Sequence, residues 1–162
     1  MSRAPSVITP TTGAANISGA GVSGAGLTEP DVVALRVTSE IDVAEVRQAA
    51  RRLALRHGFS TVRAYGLATA VSELAMNLVF HTTRGGLICL TAQDAAAASV
   101  IELVAEDDGP GIPDLALALE DGYSTRGSLG CGLPGTRRLV DTFTIASRVG
   151  EGTRIVCQVR RP

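Results

Sequence analysis

The sequence predicts an α/β chain of the α+β kind, a two-layer sandwich with helices on one face of a mixed sheet. Three observations predict it. Segments of period 2 and period 3.6 follow one another in the order β-α-α-β-β-α-β-β. Two of the strand pairs are each joined by a short turn, and there is no internal repeat. The length, 162 residues, suits one domain, which at that size buries about two-thirds of its unfolded surface.

Residues 1–30 are mostly Ala, Gly, Ser, Thr and Pro, with only Arg3 and Glu29 charged. Such a segment cannot bury enough apolar surface to offset its ordering entropy, so a disordered tail is expected, with 31–162 as the single folded domain. Leu35 and Val37 alternate with Arg36 and Thr38 as a short half-buried strand. Asp42, three residues before Glu45, reads as a capping box opening a helix. Its stripe is Val43, Val46, Ala50 and Leu53, and Gly58 after His57 is its stop. A second helix is expected from about Thr61 to Phe80, with Val62, Val71, Leu74, Leu78 and Val79 apolar and Gly66 a tolerated weak point.

After Gly85-Gly86, residues 87–92 and 100–106 alternate as two strands around an Asp-Ala-rich turn. Pro113 and residues 114–119 read as a short helix, Pro being suited to a first helical turn. Another helix begins near Leu133-Pro134 and carries Leu139 and Val140. Strands over 142–149 and 153–160 follow, joined by Gly150-Glu151-Gly152.

Composition removes several functions. The net charge of −1, with acids and bases interspersed, leaves no basic footprint for nucleic acid, and 3% aromatics leave little for base stacking. All fifteen cationic side chains are Arg. Without Lys there is no Walker-type phosphate loop, no protein-kinase strand lysine and no Schiff base. No run approaches a membrane helix and the N-terminus lacks a signal pattern, so a cytoplasmic protein without a membrane partner is expected. Cys89, Cys131 and Cys157 have no C-x-x-C spacing and read as reduced thiols, the first and last packed in strands. Cys131 is either a small loop filler or a redox switch.

Three stretches carry chemistry. Glu73 and Asn77 are four apart on the second helix, so they stack on one face, with His81 one turn on. An isolated pair at this spacing is usually a solvated helix face. A carboxylate beside a carboxamide oxygen can also activate a hydroxyl while the amide holds Mg²⁺, which takes one or two protein oxygens plus waters and substrate phosphates. Next, Asp107-Asp108-Gly109-Pro110-Gly111 ends a strand. An Asp-Gly turn is the plain reading. A Ca²⁺ loop lacks its alternating acids, and Pro110 and Pro113 interrupt a dinucleotide fingerprint. A strand-ending Asp followed by two glycines that let a flat ligand approach fits base recognition better. Last, Gly127-x-x-Gly130-x-Gly132 precedes a helix, where exposed N–H groups favour anions. The adjacent Arg126 is either a solvated charge or a phosphate contact.

The order of these stretches decides. E-L-A-x-N on a helix, D-x-G-x-G after a strand, G-x-x-G-x-G before a helix and G-T opening a last strand resemble the GHKL ATPase and kinase superfamily. The resemblance spans about residues 32–160. It implies the Bergerat fold, a mostly antiparallel sheet with helices on one face and a mobile lid over ATP. The run from Glu106 to Gly135 is most similar to the anti-sigma-factor serine/threonine kinases of the RsbT type, the switch kinases of the stressosome. The implied activity is ATP-dependent phosphorylation of a serine or threonine on a STAS-domain antagonist, in partner switching that controls an alternative sigma factor. A PP2C-type phosphatase regulator or a sigma factor is the implied second partner. The implied cofactors are ATP/ADP and Mg²⁺. Carried over by position, Glu73 matches the general base and Asn77 the Mg²⁺ ligand. Asp107 matches the acceptor for the adenine amino group, Gly109 and Gly111 the adenine-pocket glycines, and Thr153 the threonine that helps hold the base. Gly127, Gly130 and Gly132 match the lid glycines around the triphosphate, where Mg²⁺, Arg126 and backbone N–H groups can supply charge neutralisation. An ATP-gated binding module or a sigma-factor-sequestering anti-sigma factor is the alternative.

Overall fold

Alternation and amphipathic period write most of the secondary structure. The computed structural model describes residues 31–95, 98–120 and 132–161; the expected tail, 1–30, lies outside them. The described elements are β1 (Asp31–Val37), α1 (Glu40–Arg56), α2 (Thr61–His81), β2 (Gly86–Ala95), β3 (Ala98–Asp107), α3 (Leu115–Ala118), α4 (Gly132–Leu139), β4 (Thr142–Arg148) and β5 (Gly152–Arg160).

The strands form one sheet in the order β1-β2-β3-β5-β4. Every pairing among the described residues is antiparallel. β3 and β4 point the same way, but β5 lies between them and turns both contacts antiparallel. Along β3 the residues Ile101, Leu103 and Ala105 are buried, while Glu102 and Val104 on the other face are half-buried and Glu106 is exposed. Period-2 alternation thus gives one face to a core. α1 and α2 cover that face and supply Val46, Ala50, Leu53, Leu67, Val71 and Leu74, all fully or almost fully buried. Alanines at 50, 54, 64, 70 and 75 are also buried, which lets the two helices approach each other and the sheet. The result is the two-layer sandwich.

The first helix starts one register earlier than expected. Ser39 is its N-cap, and the capping box is Ser39–Asp42 rather than Asp42–Glu45. Asp42 Oδ2 accepts from the N–H groups of Ser39 at 2.9 Å and Thr38 at 2.8 Å, so its carboxylate closes the turn behind it. Those bonds hold the Asp42 carboxyl below its ordinary range. A cap of this kind contributes about 1 kcal/mol. The stop is as read, with His57 as C-cap and Gly58 at φ +73°. In α2, Val62 is 80% exposed. It lies off the buried series Ala64, Leu67, Ala68, Val71 and is no part of the core. The short helix α3 opens on Asp114, whose Oδ1 accepts from Leu117 N–H at 3.0 Å; Pro113 precedes it. Cys89 and Cys157 sit in β2 and β5, and burial pushes the Cys157 thiol up to about 12. Cys131 lies outside the described residues. No helix among the described residues is long and apolar enough to cross a membrane.

A small polar cluster ties the end of α1 to the sheet edge. The His57 ring lies between Asp94 (Nδ1 to Oδ2, 2.7 Å) and Asp31 (Nε2 to Oδ2, 3.4 Å). Arg56 pairs with Asp31 at 2.6 Å. That guanidinium, ahead of His57, holds the Asp31 carboxyl below its usual range. Asp94 is held low by the nearby Ser99 hydroxyl, which completes no hydrogen bond of good geometry, and by His57. Carboxyls depressed in the folded state stabilise it above their unfolded pKa, here 3.8, and lose that contribution as pH falls through the folded value. Urea unfolding at a series of pH values should therefore show stability falling on acidification below that value. The Asp31→Asn variant should be less stable at neutral pH and show a shallower fall.

Candidate functional site

The site begins where the core pattern breaks. The buried phase of β3 runs Ile101, Leu103, Ala105 and then meets Asp107. That of β5, read backwards, runs Val159, Cys157, Ile155 and then meets Thr153. On β4 the phase of Phe143 and Ile145, both packed against the core, continues to Ser147. Pairing register sets Asp107 opposite Thr153, and Thr153 opposite Ser147. Three polar residues thus form one row across three strands, on the helix-covered face and at the end of the apolar core.

Two glycines let the backbone close around this row. Gly152 has φ +95°, and a Cβ there would sit 2.0 Å from the Asp107 carbonyl oxygen. Gly111 has φ +70°, and its Cβ would sit 2.2 Å from the Arg148 carbonyl oxygen. No side chain fits either space. The loop after β3 therefore lies directly against the β4–β5 turn, where Gly150 N–H donates to the Pro110 carbonyl at 2.9 Å. Two residues after Pro110, Ile112 N–H donates to Ser147 Oγ at 2.8 Å.

Opposite the row, α2 presents Glu73, Asn77 and His81 at successive turns, and all three line a cleft of about 530 Å³. Asp107, Gly111, Gly132 and Thr153 line the same cleft. Its walls are otherwise apolar, with Met76, Phe80, Ile112, Leu117, Leu133 and Ile155 among them. Such a volume, mostly apolar with a few convergent polar groups, is typical of a small-molecule site.

The polar groups are arranged for binding. Glu73 Oε2 accepts from Gly132 N–H at 3.0 Å, so the carboxylate sits at the N-terminus of α4, the positive end of its dipole. Asp107 Oδ1 accepts from Gly109 N–H at 2.8 Å, and Oδ2 has no partner among the described residues. The Asn77 amide likewise has none among them. A single free amide oxygen on Asn77, beside waters and substrate phosphates, is a donor set of the sparse kind that suits Mg²⁺.

One expected pocket residue is elsewhere. Gly109 does not line the cleft; a Cβ there would meet Asp107 Oδ1 at 2.8 Å and Thr82 Cγ2 at 3.0 Å. The obstruction is the protein's own turn, in which Gly109 N–H also holds Asp107 Oδ1. Arg126, Gly127 and Gly130 lie outside the described residues. Ser147 and the apolar lining were not singled out from sequence. A signal for Ser147 existed, namely a polar residue on the buried phase of a strand.

A family model described as the histidine kinase-like ATPase domain matches residues 36–159. The chain belongs to that family. Its GHKL resemblance, read from four ordered boxes, therefore holds. The chain is 42% identical to the serine/threonine-protein kinase RsbT of Bacillus subtilis over 125 residues, 77% of this chain and 93% of that protein. Among solved structures, the RsbU and RsbW domains of Rv1364c from Mycobacterium tuberculosis are similar at TM-score 0.53 and 21% identity, over 83% of this chain and 33% of that one. That likeness bears on the fold, and the chain spans a third of that structure. The mycobacterial sensor histidine kinase MprB is similar at TM-score 0.49 and 20% identity, over 82% and 98%.

In this ATPase domain the close approach at Gly152 is the easiest feature to break. Gly152→Ala should cost about 1–3 kcal/mol of stability in urea unfolding and move β5 against Asp107. Adenine-nucleotide affinity, followed by fluorescence titration, should fall with it.

Proposed function

We propose that this chain binds ATP with Mg²⁺ in the cleft and transfers the γ-phosphoryl group to a serine or threonine hydroxyl of a STAS-domain antagonist. The chain is a protein-serine/threonine kinase of the RsbT kind, as its 42% identity to that kinase over 93% of it supports. The observation that carries the catalytic reading is Glu73 facing the cleft, one turn from Asn77. A protein that only captured a partner would need no carboxylate there.

The roles follow from the cleft's two ends. At the apolar end, Asp107 Oδ2 accepts from the exocyclic amine of adenine, the Thr153 hydroxyl assists, and Gly111 leaves room for the ring. At the other end, Gly127, Gly130 and Gly132, with Arg126, surround the phosphates as the lid read from sequence. Asn77 holds Mg²⁺ by its amide oxygen; the ion, when bound, neutralises phosphate charge. Glu73 takes the proton of the attacking hydroxyl. Phosphoryl transfer needs positioning and charge neutralisation more than covalent chemistry, so a site without Lys suffices. The pathway is partner switching that controls an alternative sigma factor in the cytoplasm. The second partner is a PP2C-type phosphatase regulator, with a sigma factor as the alternative.

Incubation with Mg-ATP and candidate STAS proteins, followed by mass spectrometry of the phosphosite, tests the substrate class. Transfer to none of them, with ATP bound, would remove it. A positioned base contributes about 10²–10⁴-fold, and Gln at 73 keeps an oxygen for Gly132 N–H. Glu73→Gln should thus bind ATP normally yet lose phosphoryl transfer by that factor, measured with radiolabelled ATP. Asn77→Ala should lose the Mg²⁺-dependent part of nucleotide affinity; an unchanged Mg²⁺ dependence would take Asn77 out of the metal site.

A further inference from the structure

Ser147 lies outside the cleft lining, yet it bonds to two residues that form that lining, Ile112 and Thr153, and to the glycine between the strands, Gly152. Its Oγ accepts from Ile112 N–H at 2.8 Å, lies 2.8 Å from Thr153 Oγ1 and 3.1 Å from the Gly152 carbonyl oxygen. It is half-buried and continues the core-facing phase of β4. A residue needed only to complete that strand would be apolar, like Phe143 and Ile145 before it.

We propose that Ser147 is a positioning residue for the base end of the cleft, acting through Thr153 and Ile112. The inference rests on the reading of this cleft as an adenine-nucleotide site. A serine hydroxyl has one proton and two lone pairs. One lone pair is occupied by Ile112 N–H, a group that can only donate. Ser147 therefore sends its proton either to Thr153 or to the Gly152 carbonyl.

The first choice leaves the Thr153 proton free for an acceptor in the cleft, such as a ring nitrogen of a base. The chain Ile112 N–H to Ser147 to Thr153 to ligand then runs in one direction, and hydrogen bonds in series strengthen one another. The second choice makes Thr153 donate to Ser147, so that it offers only lone pairs. Ser147 thus sets which face Thr153 shows the ligand. It also pins the loop that carries Gly111 against β4.

The test is a double-mutant cycle read as ADP affinity, by titration of a fluorescent ADP analogue on the full chain. Ser147→Ala and Thr153→Val should each weaken binding by about tenfold, the scale of one lost hydrogen bond. The double variant should be little worse than the weaker single, because the two hydroxyls act as one unit. Ser147→Thr keeps the hydroxyl on a β-favouring residue and should bind as the wild type does. Additive losses in the cycle would overturn the proposal, since they mean that Ser147 acts on affinity independently of Thr153. Wild-type affinity in Ser147→Ala, or an equal loss in Ser147→Thr, would overturn it too. If Ser147→Ala does not fold, Ser147→Cys, near in size with a weaker donor, enters the same cycle under the same criteria. A wild-type chain that binds no adenine nucleotide would instead overturn the nucleotide reading, and this inference with it.

Discussion

The close backbone contact between the ends of β3 and β5 is the constraint on which the site depends. Asp107 and Thr153 are directly paired, and the chain can turn there only because residue 152 has no side chain. Gly111 repeats the device one layer out, against Arg148. Without these two contacts the loop after β3 would stand away from the β4–β5 turn. Ser147 would then lose Ile112, and the polar row would open to solvent. Substitution at either glycine meets backbone, which has little freedom to move aside.

Against this rigid floor stands a wall of a different kind. α2 is long, well packed and anchored by its buried stripe, so Glu73, Asn77 and His81 are presented on a firm element. α4 is only 8 residues long; it packs on that wall with Leu133 and Thr136 buried, and its first N–H, on Gly132, bonds to the Glu73 carboxylate. The N–H groups at such a helix start suit any anion. A carboxylate and a phosphate are thus interchangeable occupants of this end of the cleft in chemical terms.

Much of this was legible in the residues themselves. α1, α2 and the four later strands came from strong period signals, which survive any tertiary context because one face must be buried. The cap of α1 was misread because Ser39–Asp42 and Asp42–Glu45 both satisfy the spacing, and only the backbone at Ser39 decides between them. Val62 fits an apolar count but sits off the buried series, so counting apolar residues overstated the stripe. Glycine spacing marked where a Cβ is not tolerated, but not what stands in its way. At Gly109 the obstacle is the protein's own Asp107 and Thr82. Strand order was beyond local pattern, since the neighbour of β3 is β5, more than forty residues on.

That strand order has a consequence for synthesis. A chain made from its N-terminus completes β1, β2 and β3 as a meander, each strand pairing with the one before. β4 emerges next and has no partner yet, because its only neighbour among the described strands is β5. Until β5 is made, β3 keeps a bare hydrogen-bonding edge beside the hydrophobic core, an opening for mispairing. One insertion then seals that edge, seats β4, and brings Gly152 and Thr153 to Asp107. Completion of the sheet and creation of the cleft are therefore a single late event in folding.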